Sequence, residues 1–443
     1  MNHFEAKIAH FIDTHQLMSL DKKYLVALSG GADSVALLLV LKQLGYQIEA
    51  VHCNFHLRNK ESERDETFCE QLCKQKNIPF HRVHFDTLSY AALHHVSIEM
   101  AARNLRYTYF LQLMKDLGCH RVCVAHHSND NVETFLINLI RGTGIAGLTG
   151  IPVKNECIIR PLLNVSKEDI LLYLSSLHQE FVTDSTNLKP EVVRNKIRLD
   201  ILPALEKINP KVNANILKTI SYLKEYNKVL NKALSESVLR VFIHHAISIQ
   251  ALKAEPSPEL VLFTILQPYG FNSVQIKDVA GHLYSNVVGK EYRSASHIIL
   301  LGREQIKLYA LKDLEFNPVR IPEPGIYAIA AGRKLKVTID EMGDFATISK
   351  DKAIASIDAD KVKYPLTVRT PKQGERFYPF GMQQSRLISD FLTDIKKNKI
   401  EKQHQWIVVD SDDRVVWIVG ERIDNRFRIG ADTNRMLSIV EIQ

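Results

Sequence analysis

Cysteine is scarce in this chain and stops early. Its six cysteines, Cys53, Cys69, Cys73, Cys119, Cys123 and Cys157 of 443 residues, nowhere form C-x-x-C. Thiolate zinc and iron–sulfur centres usually need that spacing, so neither is expected. The pairs Cys69/Cys73 and Cys119/Cys123 read as buried free thiols of a reducing compartment. No apolar run approaches the ~20 residues that cross a bilayer. His3, Glu5, Lys7, His10 and Asp13 leave no apolar signal core near the start. A cytoplasmic protein without membrane contact is therefore expected. Internal repeats and low-complexity tracts are also missing, which argues against a solenoid or a disordered tail.

What is present is the composition of a globular protein, 45% hydrophobic and 24% charged. At this length roughly two to four domains are expected. The net charge of +7 is unevenly spread: residues 187–240 carry 11 Lys and Arg against 5 Asp and Glu, and residues 361–443 carry 15 against 11. Basic segments of this kind suit a polyanionic partner such as nucleic acid, solvated helix faces being the plainer alternative.

The stretch Leu25–Ser34 organises the chain. Tyr24 to Leu28 reads as a buried strand, Ser29-Gly30-Gly31-Ala32-Asp33-Ser34 as a turn, and Val35 to Leu41 as a helix packed on a sheet. Strand, glycine turn and helix form a phosphate-binding arrangement, because backbone N–H groups and the helix N-terminus converge on one anion. Asp33 suits a helix cap or a Mg²⁺ ligand. No Gly-Lys-[Ser/Thr] follows the glycines and the turn does not spell G-x-G-x-x-G, so it is neither a Walker loop nor a dinucleotide fingerprint.

Periodicity predicts helices over 1–18, 61–76, 98–117, 131–140 and 166–178, with strands at 24–28, 47–53, 79–85 and 121–125. The alternation implies an α/β domain with a parallel sheet and ligands at the carboxyl ends of its strands. Those ends carry the glycine turn at 29–34, then His52, Asn54, His56 and Arg58, then His126, His127, Asp130 and Glu133. Three polar clusters on one sheet edge are hard to explain structurally. Further on, 211–246 reads as a long basic linker helix. Residues 258–284 are helical with a break near Gly270, and a hairpin turns at Gly302. Segment 313–358 is rich in strands, and short strands, a helix over 387–397 and a hairpin at 406–419 follow. Phe377, Tyr378 and Phe380 among Lys and Arg suit either RNA contact or core.

The turn at 29–34 resembles the PP-loop of the N-type ATP pyrophosphatases, and the whole chain resembles the tRNA(Ile)-lysidine synthetase family. The likeness is carried by Ser29–Ser34, His52–Arg58 with Ser62 and Asp65, and Glu99, Ala102, Arg103, Arg106 and Tyr107. It continues through His126, His127, Asp130, Glu133 and Thr134, Arg141-Gly-Thr-Gly144, Arg160-Pro-Leu-Leu163, Asp184–Asn187, and Arg194-Asn-Lys-Ile-Arg198. One position departs: the family usually has two aspartates after the paired histidines, and this chain has Asn129 followed by Asp130.

The resemblance implies a parallel-sheet PP-loop ATPase domain over 1–210, a helical linker with a small α-rich middle domain over 211–312, and an α+β C-terminal tRNA-binding domain over 313–443. It implies ligation of lysine to C2 of the wobble cytidine of a tRNA(Ile) with a CAU anticodon, using ATP and Mg²⁺ and releasing AMP and pyrophosphate. Asp130, Arg103, His127 and Glu133 would be catalytic. Ser29, Gly30, Gly31, Ala32, Asp33, Ser34, His52, Asn54 and Arg58 would hold ATP, and Asp33 and Asp130 the metal. Arg141, Arg194, Asn195, Arg198, Arg369, Lys372, Arg376 and Arg426 would contact tRNA. The oligomeric state is left open, a homodimer being compatible with it. Rivals are a tRNA thiolase, which usually needs further cysteines, an amide-forming relative, whose glutaminase segment is not apparent, and a nucleotide sensor, which would release no pyrophosphate.

Overall fold

In the computed structural model, residues 1–57, 60–183, 193–285, 287–330, 332–342, 348–349 and 351–442 are described. They form two compact units, Met1–Asn231 and Lys232–Gln443. In chain order the first unit contains α1 (His3–Thr14), β1 (Lys23–Ala27), α2 (Ala32–Gln43), β2 (Gln47–Asn54), α3 (Lys60–Gln75), β3 (Phe80–His84), α4 (Thr87–His94), α5 (Ile98–Asp116), β4 (Arg121–Cys123), α6 (Ser128–Ile140), α7 (Ile145–Leu148), β5 (Ile158–Ile159), α8 (Lys167–Ser176), α9 (Val193–Lys196) and α10 (Leu202–Ile208). Helix α11 (Val212–Val241) starts in this unit and ends in the next.

The five strands pair in parallel in the order β3-β2-β1-β4-β5. Central β1 explains the unbroken apolar run, since Leu25 and Val26 are fully buried and both sheet faces are covered. Helix α2 is apolar on all sides for the same reason: from Val35 to Leu41 every side chain is buried. Helix α1 completes that layer. Asn2 and Glu5 form a capping box at its start, and Phe4 stacks on Tyr173 of α8 at 4.4 Å. The chain leaves β1 toward β2 and β3, then returns to the other side as β4. The crevice between β1 and β4, at their carboxyl ends, is therefore the switch point where ligands of such sheets sit.

The four predicted strands are present. Strand β5 was not anticipated, because two residues show no periodicity. Helix α4 was missed although its start is marked: Asp86 accepts the Ser89 N–H at 3.0 Å, and His95 ends it at φ +52°.

In the second unit the helical segment also carries a five-stranded antiparallel sheet, where sequence had indicated only a hairpin. Its helices Pro258–Leu266 and Ser273–His282 are separated at Gly270, φ +83°, as expected. Beyond residue 313, among the described residues, lie one five-stranded sheet, one four-stranded sheet and a short hairpin. Both tryptophans, Trp406 and Trp417, are in that core. Among the described residues no helix is long and apolar enough to cross a membrane.

Candidate active site

At the carboxyl end of β1 the chain turns through Gly30, φ +86°, into α2. A side chain at Gly30 would be strained by that φ, and its Cβ would lie 3.4–3.5 Å from Cys69, Phe68 and Val182. Ser34 braces the turn: its Oγ accepts the Ser29 N–H at 3.1 Å and donates to the Gly31 carbonyl at 3.0 Å. Among the described residues no side chain caps the start of α2, which leaves its first N–H groups available to an anion.

Two further helices begin at the same place. The Ser128 N–H at the start of α6 donates to the Val165 carbonyl, just before α8, at 2.9 Å. Asn129 Oδ1 accepts the N–H of Lys167, the first residue of α8, at 3.1 Å. The Lys167 ammonium lies 2.6 Å from Asp33 Oδ1. The starts of α2, α6 and α8 are thus tied together at this edge of the sheet.

Two carboxylates share this edge. His127 Nε2 is 3.8 Å from Asp33 Oδ2 and 3.6 Å from Asp130 Oδ2. His127 is buried, and among the described residues its Nδ1 has no hydrogen-bond partner. Asp130 Oδ2 also accepts the His127 N–H at 3.0 Å, tying the carboxylate to the first turn of α6. Behind them Arg160 donates from Nε to His126 Nδ1 at 3.0 Å. Burial, with Arg160 beside it, pushes the His126 pKa down to about 4, so the ring is neutral near pH 7 and Nδ1 is its unprotonated nitrogen. The exposed Arg103 guanidinium lies 5.0 Å from the Tyr107 ring centroid.

Several predicted residues are placed otherwise. His52 is buried and donates from Nδ1 to the Leu28 carbonyl at 2.9 Å. Burial lowers its pKa, which keeps the ring neutral. Asn54, also buried, donates to Glu66 at 2.8 Å and accepts the His56 N–H at 3.0 Å. Both brace the strand ends from within, which departs from the expected contact with nucleotide. Arg58 and Asp184–Asn187 lie outside the described residues.

Glu133 is 1% exposed. Its oxygens are held by Arg198, at 2.7 and 3.1 Å, with Arg194 at 3.3 Å from one of them. Arg194 also donates to Thr134 at 2.9 Å. A carboxylate clamped this way fastens α9 and the following turn to α6. That corrects the expectation of Glu133 as a free proton acceptor, and both arginines are likewise engaged in the protein. Asn195 lies half-buried on α9, and Arg141 is exposed at the end of α6. Arg198→Ala should cost about 1–2 kcal/mol. That is less than the ~3–5 kcal/mol of a fully buried pair, because Arg198 is partly solvated and Arg194 remains. The urea midpoint of the full chain checks this, and an unchanged midpoint would remove the clamp from the account.

In the second unit Arg369 is buried, with bonds of 2.9 and 2.5 Å to Glu375 and 2.8 Å to Asp413. Its charge is neutralised inside the fold, which corrects the expectation that it contacts tRNA. Lys372 lies on the surface, 2.5 Å from Asp413. Arg376 is exposed and donates to Ser385. Arg426 pairs with buried Asp424 and lies 4.8 Å from the Tyr378 ring centroid. Phe377 is core, and Phe380 is 51% exposed.

Residues 1–205 match the family model described as a PP-loop domain, and residues 243–311 match the TilS substrate binding domain. A curated relative from Bacteroides thetaiotaomicron, a tRNA(Ile)-lysidine synthase, is 43% identical over 98% of this chain and 98% of its own. The chain belongs to the tRNA(Ile)-lysidine synthase family. The synthase of Parabacteroides distasonis is 45% identical over 97% of this chain and 98% of its own, and that of Porphyromonas gingivalis strain W83 is 37% identical over 94% of each. Sequence reading had not singled out Lys167. A cation in the first turn of a helix opposes the dipole, and that was the available signal.

Proposed function

We propose that the chain ligates lysine to C2 of the wobble cytidine of a tRNA(Ile) with a CAU anticodon, in the cytoplasm, with ATP as the activating substrate. What carries this reading is likeness to lysidine synthases along the whole chain. The uncapped start of α2 after the glycine turn, with Lys167 beside Asp33, supports it.

The cytosine C2 oxygen is a poor leaving group. In the first step it attacks the α-phosphorus of ATP, the bond to the β-phosphate oxygen breaks, and pyrophosphate leaves. In the second, a neutral lysine amine attacks C2, the C2–O bond breaks, and AMP departs with that oxygen. Residues 29–34 and the start of α2 bind the departing pyrophosphate, and Lys167 adds positive charge beside it. Arg103 orients the α-phosphate. The lysine ammonium must lose a proton before it attacks, and His127 is placed to accept one, Glu133 being clamped. An unstacked anticodon base reaches such a pocket at low cost.

Asp33 and Asp130 fit Mg²⁺: they are hard oxygen donors that both face His127 Nε2, and the Lys167 ammonium shows that cationic charge is accepted there. Among the described residues no cluster of three or more metal-ligating side chains exists. Mg²⁺ commonly takes one or two carboxylates and completes its shell with phosphate oxygens and water. When bound, it would draw charge off the pyrophosphate.

We assign ATP chemistry to 1–210, the linker and middle domain to 211–312, and tRNA binding to 313–443, with Arg141, Lys372, Arg376 and Arg426 the surface cations to test first. The assay supplies α-³²P-ATP, lysine and tRNA transcripts. AMP and modified cytidine should form together, and only when lysine and the cognate tRNA are both present. A protein that binds ATP without releasing pyrophosphate under these conditions would be a sensor, and the proposal would fail.

A further inference from the structure

The steps above leave His126 without a task, yet its ring is held in one protonation pattern. Just past β4 the Val124 N–H donates to the Ile159 carbonyl of β5 at 3.0 Å, so His126 and Arg160 leave adjacent strands side by side. Arg160 is 6% exposed. Its main-chain N–H donates to the Val153 carbonyl at 3.0 Å, and its Nη1 donates to the Pro152 carbonyl at 2.8 Å. Those bonds fix the plane of the guanidinium. From that place Nε donates to His126 Nδ1 at 3.0 Å. A guanidinium has no acceptor, so Nδ1 offers its lone pair and the single ring proton sits on Nε2. Turning the ring over would set a carbon against Arg160 and lose the bond. At Nε2, His126 therefore donates and cannot accept.

That N–H is free for a ligand. Among the described residues Nε2 has no hydrogen-bond partner, and it is not sealed from solvent. The donor on the far side of the ring also polarises it. His127 differs: its Nε2 faces the carboxylates of Asp33 and Asp130. His126 diverges from it, as adjacent side chains do, and makes no ion pair among the described residues. Phosphate and carboxylate groups call for charge, which Lys167 and the start of α2 supply. A neutral one-way donor matches a neutral acceptor. Cytosine has one at N3, beside the reacting C2. Uracil carries N3–H there, so the same group would set two donors face to face and leave both unbonded, which a closed site does not tolerate.

We propose that His126 donates from Nε2 to N3 of the target cytosine, and that Arg160, a positioning residue, makes the site reject uridine by fixing the tautomer of that ring. The proposal rests on the lysidine-forming reading and adds how the site selects its base. The test is a titration of the full-length protein with anticodon stem-loops of tRNA(Ile) carrying cytidine, uridine or 3-deazacytidine at the wobble position. The last has a C–H in place of the N3 lone pair. The wild-type protein should bind the cytidine loop about tenfold or more tighter than either of the others. His126→Gln supplies an amide that can turn to donate or to accept, so its affinities for the cytidine and uridine loops should agree within about twofold. Arg160→Met frees the ring to carry its proton on Nδ1 and should narrow the preference in the same direction. A purely structural loss would weaken all three loops alike, and the denaturation midpoint controls for folding. Equal affinity of the wild-type protein for cytidine and 3-deazacytidine overturns the proposal without any variant. So does a full preference for cytidine over uridine in His126→Gln. If the wild-type protein makes no lysidine from ATP and lysine but keeps the preference, the ligation reading falls and the base selection stands. Lysidine formation without the preference removes the base contact alone.

Discussion

Asp33→Asn should slow pyrophosphate release about a thousandfold, roughly 4 kcal/mol of barrier. The substitution keeps the shape of the side chain and removes its charge. Asp33 lies in the first turn of α2, with one oxygen 2.6 Å from Lys167 and the other facing His127. Loss of the carboxylate removes a proposed Mg²⁺ ligand and frees Lys167 from its partner, so two sources of charge stabilisation are disturbed together. Removing a single well-placed group at a developing charge typically costs about a hundredfold to a thousandfold. Stability should change little, since a carboxylate in the first turn of a helix contributes about 0.3–1 kcal/mol. Lys167→Met separates the two contributions. It keeps the carboxylate and removes the ammonium, and its loss should be nearer tenfold. Single-turnover pyrophosphate release, with the denaturation midpoint as a fold control, measures both. Wild-type turnover in Asp33→Asn would mean that the loop at 29–34 does not drive adenylation.

The parts legible in the sequence are those whose chemistry and geometry are local. A glycine turn between an apolar strand and an apolar helix can be read from ten residues, because the steric demand at Gly30 and the burial of α2 act on neighbours in the chain. Assigning the clusters at 52–58 and 126–133 to one sheet edge required only the alternation of strands and helices. Lys167 and Arg160 reach the site through tertiary packing. Lys167 meets Asp33 from 134 residues away, and no local pattern registers that distance. Charge counting failed for a related reason. It treats Arg369 as surface charge, while Glu375 and Asp413 had already consumed that charge inside the fold. Phe377 and Phe380 show the same limit for aromatics: one sits in the core and the other is exposed, three residues apart.

Asn129 and Asp130 should behave oppositely under exchange of amide and carboxylate. Successive side chains diverge, so two adjacent residues do not reach one point. Asn129 Oδ1 turns toward α8, where it accepts the Lys167 N–H at 3.1 Å and has the Ser128 hydroxyl at 3.4 Å. An aspartate there would accept from the same donors, next to the positive end of α8. Asn129→Asp should therefore change single-turnover lysidine formation less than about threefold, under ~0.7 kcal/mol. Asp130 turns the other way, toward His127 Nε2 and the side of Asp33. An asparagine at 130 can still accept the His127 N–H through its remaining oxygen, so the start of α6 keeps its bond while the negative charge disappears. Asp130→Asn should cost about a hundredfold, roughly 2.7 kcal/mol, with no comparable loss of stability. Both variants are measured at saturating Mg²⁺, so that weakened metal binding does not masquerade as a chemical defect. Small effects from both would remove Asp130 from the metal site. A large effect from Asn129→Asp would show that the amide nitrogen, which the Lys167 contact does not use, has a task of its own in the reaction.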